Sequence, residues 1–194
     1  MDAFLLSFAV IFVAELGDKS QLMAMTFATR YKFWTVVAAI TVATAIVHLF
    51  SVALGNVIGL ALPIGPINIA AGLAFVLFGL WTLRGDKLSE EEESKASRSN
   101  RPAFFAVAIA FFLAELGDKT MLATVTLATT EVWFDTWVGS TLGMVAADVL
   151  AIGVGVFLGR SLPEKVIKVG AAVLFFAFGA VLIYSGITYA GVTS

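Results

Sequence analysis

Cysteine is absent from the 194 residues. That excludes a disulfide framework and any thiolate metal site, and it removes redox chemistry as a guide to compartment. Charge is scarce: Asp, Glu, Lys and Arg make up 13% of the chain, against about 25% in an ordinary soluble domain. A cytosolic globular domain is therefore excluded. The net charge of −2 leaves no basic patch, so nucleic acid is not expected as a partner. What remains is apolar: 60% of residues are hydrophobic and the mean hydropathy is +0.97. Such a chain does not stay disordered, and the solvent for its outer surface is the lipid bilayer.

The apolar residues fall into six runs, at roughly 3–29, 33–61, 66–84, 102–129, 132–160 and 166–190. A helix needs about 20 residues to cross a hydrocarbon core of ~30 Å, and each run is long enough. Runs such as Ala70–Leu83 and Ala171–Tyr184 show no alternation, so they read as helices rather than strands of a barrel. The first run begins Met1-Asp2 without a positive leader segment and is expected to be retained. The expected fold class is an all-α integral membrane protein with six transmembrane helices.

Residues 85–101 differ in composition, with Glu90 to Glu93, Lys87, Lys95, Arg98 and Arg101 among serines. They read as a solvated tether between residues 1–84 and residues 102–194. Of the twelve Lys and Arg, ten (Arg30, Lys32, Arg84, Lys87, Lys95, Arg98, Arg101, Arg160, Lys165 and Lys168) fall on the side of this linker when six crossings are drawn. The side with both termini receives none. The positive-inside rule then puts the linker in the cytoplasm and both termini outside it.

A shift of 100 residues superposes the halves without a gap. Ala14-Glu15-Leu16-Gly17-Asp18-Lys19-Ser20 falls on Ala114-Glu115-Leu116-Gly117-Asp118-Lys119-Thr120. Gly55 and Gly59 fall on Gly155 and Gly159, Leu62-Pro63 on Leu162-Pro163, and Phe75, Phe78 and Gly79 on Phe175, Phe178 and Gly179. Each half has three crossings, an odd number, so the second half enters from the opposite side. Inverted repeats of this kind are an architecture of secondary transporters, which bind near the midplane between the repeats.

Glu15 lies about 12 residues into the first run, roughly 18 Å at 1.5 Å per residue, and Glu115 has the same depth. A charge there costs at least ~2.5–3.5 kcal/mol, so these acids should face each other, water or an ion. In a continuous helix Glu15 and Asp18 share a face, bordered by Lys19. Gly17 either admits a close backbone or lets the helix loosen. Internal Glu15–Lys19 and Glu115–Lys119 pairs are the plain structural reading. Four acids against two lysines leave a surplus of two negative charges, which one divalent cation would neutralise. An all-oxygen cluster suits Ca²⁺, Mn²⁺ or Mg²⁺.

The duplicated Glu-x-Gly-Asp-Lys-(Ser/Thr) motif within six apolar runs resembles the calcium/manganese:proton antiporter family, over the whole chain. That resemblance implies Glu15, Asp18, Glu115 and Asp118 as cation ligands, with Lys19, Ser20, Lys119 and Thr120 completing the motifs; Gln21, just past the first motif, reads as a further supporting oxygen. The resemblance implies a transporter rather than an enzyme. It also implies Mn²⁺ or Ca²⁺ as cargo exchanged for H⁺, no permanently bound cofactor, and export across a bacterial cytoplasmic membrane. A homo-oligomer is left open. The residue chemistry alone does not choose Mn²⁺ over Ca²⁺. Rival readings are a passive cation channel, an intramembrane carboxylate enzyme, and an amino-acid exporter, which four acids fit poorly.

Other intramembrane polar residues are His48, the single histidine, and Asp148 at the equivalent position of the second half. They read as a proton relay or as helix–helix hydrogen bonds. Met23, Met25, Met121 and Met144 read as packing residues more readily than as sulfur ligands. Met121 stands where the first half has Gln21, which argues against a symmetric role at that position. Gly55, Gly59, Gly155 and Gly159 predict close helix packing, and Trp34, Trp133 and Trp137 an interfacial belt.

Overall fold

A computed structural model describes residues 2–84, 102–158 and 164–192. The linker and the Gly159, Arg160, Leu162 and Pro163 positions lie outside the described residues. Those described form eight helices and no strand. In the first half these are α1 (Ala3–Glu15), α2 (Lys19–Ala28), α3 (Phe33–Ala61) and α4 (Ile64–Arg84). In the second they are α5 (Ala103–Glu115), α6 (Lys119–Leu127), α7 (Trp133–Leu158) and α8 (Glu164–Val192).

Four helices carry apolar segments long enough to cross a membrane: Phe33–Ala61, Ile64–Arg84, Trp133–Gly155 and Lys168–Tyr189. The first and fourth runs differ from expectation. Each is two helices, not one, and the break falls inside the motif. At 13 residues each, α1 and α5 reach only about 20 Å.

Each half's broken run packs against the long helix of the other half: α1 and α2 lie on α7, and α5 and α6 on α3. The pairs α3–α7 and α4–α8 join the halves further. One apolar core gathers Met23, Ala24 and Phe27 of α2, Val36, Ala39, Ile40 and Ala43 of α3, and Val107, Phe111 and Ala114 of α5. The i, i+3, i+4, i+7 spacing on α3 lays these side chains along one face. A second core joins Leu6, Val10, Ile11 and Ala14 of α1 to Phe75, Phe78 and Phe175. Outward positions are also apolar, with Trp34, Leu60, Leu77, Val166 and Tyr184 exposed, as a lipid-facing surface requires.

Gly55 and Gly59 give the expected close packing. A Cβ on Gly55 would stand 2.3 Å from the Val125 carbonyl oxygen, and one on Gly59 2.4 Å from that of Thr129. Gly155 meets the Met25 side chain instead. Trp34 and Trp133 are exposed, but Trp137 turns inward and donates its Nε1–H to the Ala45 carbonyl at 2.8 Å.

Candidate cation site at two helix breaks

The site begins with the backbone. α1 stops at Glu15, Leu16 is extended, and Gly17 has φ +76°. α5 stops at Glu115 in the same way, with Gly117 at φ +79°. Left-handed backbone costs L-residues roughly 1–2 kcal/mol, which glycine avoids. A Cβ on Gly117 would meet nothing within 4 Å, so this glycine serves the turn rather than a close neighbour. Asp18 and Asp118 then stand at the N-caps of α2 and α6, positions that aspartate favours. Neither side chain caps its own helix; both carboxylates are turned to the other half.

The lysines pair across the halves. Lys119 Nζ donates to Asp18 Oδ1, and Lys19 Nζ lies 3.6 Å from Asp118 Oδ1. The reason is the break: with the helix interrupted at 16–18, Glu15 and Lys19 no longer share one helical register. Glu15 and Asp18 likewise do not lie along one helix face. Glu15 instead takes a hydrogen bond from the Ser20 hydroxyl, which also lies 3.2 Å from Asp18 Oδ2. Thr120 Oγ1 donates to Glu115 Oε2 at 3.0 Å.

Position 21 is more symmetric than its residues suggest. Gly17 N–H donates to Gln21 Oε1 at 2.7 Å, and Gly117 N–H to Met121 Sδ at 3.1 Å. Both side chains close the break, and Gln21 alone adds a bond from its Nε2 to the Ala147 carbonyl of α7 at 2.9 Å. Met144 is buried on α7 and accepts from Thr44 Oγ1 at 3.5 Å.

Glu15 is 0% exposed, Glu115 and Asp18 1%, Asp118 and Lys119 4%. The acids act on one another: Glu115, Asp18 and Asp148 on Glu15, and Asp118, Asp18 and Asp148 on Glu115. One oxygen of each glutamate (Glu15 Oε2, Glu115 Oε1) has no hydrogen-bond partner among the described residues. Also among the described residues, no three carboxylate or imidazole groups stand close enough to hold a metal ion between them. The motif residues are thus brought together, with each of these lysines against the aspartate of the opposite half. His48 stands apart. It is fully buried, neither ring nitrogen has a partner, and burial rather than a neighbouring charge is what bears on it among the described residues.

Apolar helices with a lipid-facing exterior, and ionisable side chains buried where two helices break, define an integral membrane protein with a charged centre. The family is settled by comparison. The profile of "Divalent cation/proton antiporter GDT1" matches residues 3–90 and again 103–190, so the chain belongs to the GDT1 family. It is 36% identical to a Vibrio cholerae protein named "Putative manganese exporter", over 90% of this chain and 87% of that one. It is 29% identical to the GDT1-like protein sll0615 of Synechocystis, over 93% and 96% of the two chains. With Protein PAM71, chloroplastic, of Arabidopsis thaliana it shares 32% identity over 94% of this chain and 56% of that one. No solved structure gives a significant match. The family is one of transporters, which sets the enzyme reading aside.

Proposed function

We propose that the protein exports Mn²⁺ from the cytoplasm in exchange for protons. In this reading residues 1–84 and 102–194 are two inverted three-helix repeats. They are joined by a cytoplasmic linker at 85–101, in a bacterial cytoplasmic membrane with both termini outside. Glu15, Asp18, Glu115 and Asp118 bind the cation. Lys19 and Lys119 hold the aspartates of the opposite half, and Ser20, Gln21 and Thr120 support the breaks.

The observation that carries this is the crossed pairing of Lys119 with Asp18 and Lys19 with Asp118 around two buried glutamates. An ion pair taken out of water persists only with close partners. Here the lysine ammonium groups occupy aspartate oxygens that a hard divalent cation would use. The breaks after Glu15 and Glu115 interrupt the backbone ladder, which membranes tolerate only inside protein or beside a polar cavity. A cation displacing the lysines would draw the four acids inward. Its release leaves closely spaced carboxylates that cannot all remain ionised, so protons return as the metal leaves. Mn²⁺ is favoured over Ca²⁺ by the name of the Vibrio cholerae relative.

Reconstitution in proteoliposomes tests this. With a pH gradient imposed, Mn²⁺ flux accompanied by opposite proton movement is expected, with Ca²⁺ and Mg²⁺ as competitors. Glu15→Gln and Glu115→Gln should each abolish flux while the protein still inserts. Full flux without proton movement would instead establish a channel.

A further inference from the structure

We propose that Asp148 is a fifth acid of the cation site, a binding residue contributed by α7 from outside both motifs; this rests on the transport reading above. Asp148 is 1% exposed, and neither carboxylate oxygen has a hydrogen-bond partner among the described residues. It stands near enough to act on both Glu15 and Glu115, and Asp18 acts on it in turn. The segment that bears it is tied to the first break, because Gln21 Nε2 bonds to the carbonyl of Ala147, the preceding residue. The lysines of the site are taken up elsewhere, Lys119 with Asp18 and Lys19 with Asp118.

A buried carboxylate without a bond or a counterion is unfavourable unless something positive comes to it. The cargo is that positive charge. Counting Asp148, the centre holds five acids and two lysines, so the carboxyl groups outnumber the lysines by three rather than two. The extra acid is one-sided. The equivalent position on α3 is His48, on which no charge of the centre acts. The half that contributes Asp148 therefore presents the stronger field to a divalent cation, and the repeat is asymmetric at the point where the cation binds.

The test uses the full-length protein purified in detergent, with Mn²⁺ as the probe and thermal unfolding as the readout. Asp148→Asn keeps shape and removes charge. It should leave the melting temperature of the metal-free protein at or above the parent's, because Asp148 makes no hydrogen bond among the described residues that the change would break. It should also weaken Mn²⁺ binding about 10- to 100-fold, seen as a smaller shift on adding Mn²⁺. Asp148→Glu should restore much of that shift. A merely structural Asp148 gives the opposite pattern: a lower metal-free melting temperature and an unchanged Mn²⁺ shift, which overturns the proposal. An Asn variant that binds Mn²⁺ as the parent does also overturns it and leaves the motif acids in place. If the unsubstituted protein shows no Mn²⁺ shift at all, both the proposal and the transport reading fall.

Discussion

Two lysines give the centre its character, and they are not equivalent. Lys119 is 4% exposed and bonded to Asp18, while the Lys19 side chain is 19% exposed and 3.6 Å from Asp118. Removing one partner of a buried pair leaves an uncompensated charge and costs about 3–5 kcal/mol; exposed pairs contribute about 0–1 kcal/mol. Lys119→Met should therefore destabilise the protein by roughly 3–5 kcal/mol, and Lys19→Met by distinctly less, as read from unfolding in detergent. Adding Asp18→Asn to Lys119→Met should recover part of the loss, since the orphaned acid is then neutral. Strictly additive losses in that double variant would show that the two residues do not pair. The cross-half pairs were not foreseen because i, i+4 reasoning assumes a continuous helix. Nothing in a linear spacing shows that a side chain's partner lies in the other half.

The informative elements are the two breaks. α3 and α7 were legible from the sequence: the run 33–61 is reproduced to the residue, and 132–160 is described as Trp133–Leu158. Their apolar length overrides local propensity. The breaks were partly hidden because the hydrophobic run continues on both sides of Gly17 and Gly117, and an isolated glycine inside a helical pattern is usually tolerated. The signal was the dipeptide itself, a glycine able to take positive φ followed by an aspartate suited to an N-cap. Gly117→Ala isolates that conformational role, because its Cβ would touch nothing. It should cost about 1–2 kcal/mol from left-handed backbone alone and slow Mn²⁺ flux, measured in the same vesicles. Unchanged stability and flux would mean that the turn at 116–118 relaxes without consequence.

For the whole molecule, the charge bias is the argument for the proposed orientation. On the proposed six-crossing topology the ten basic residues outside the motifs fall on the linker side, so Ser97→Cys should resist an impermeant maleimide applied to intact cells. Labelling from outside would invert the topology and the direction of transport together. The absence of native cysteine makes the readout clean. The repeat and its motif were fully visible in sequence. Asp148 stands out there as an intramembrane acid opposite His48, but which side chains fold around it was not legible in the sequence.

The crossed ion pairs also bear on biosynthesis. Each half carries the other's counterion: Asp18 is satisfied by Lys119, and Asp118 by Lys19. Until α6 arrives, Asp18 and Lys19 lack their partners from the other half, so the first half awaits its complement. Expressed by itself, a fragment ending at the linker should be cleared by quality-control proteolysis. Two fragments divided within 85–101 and made in the same cell should protect each other, so that the abundance of either one, followed by immunoblot, rises with that of its companion. A Lys119→Met fragment should lose that protective effect on its partner even though its apolar helices are unchanged.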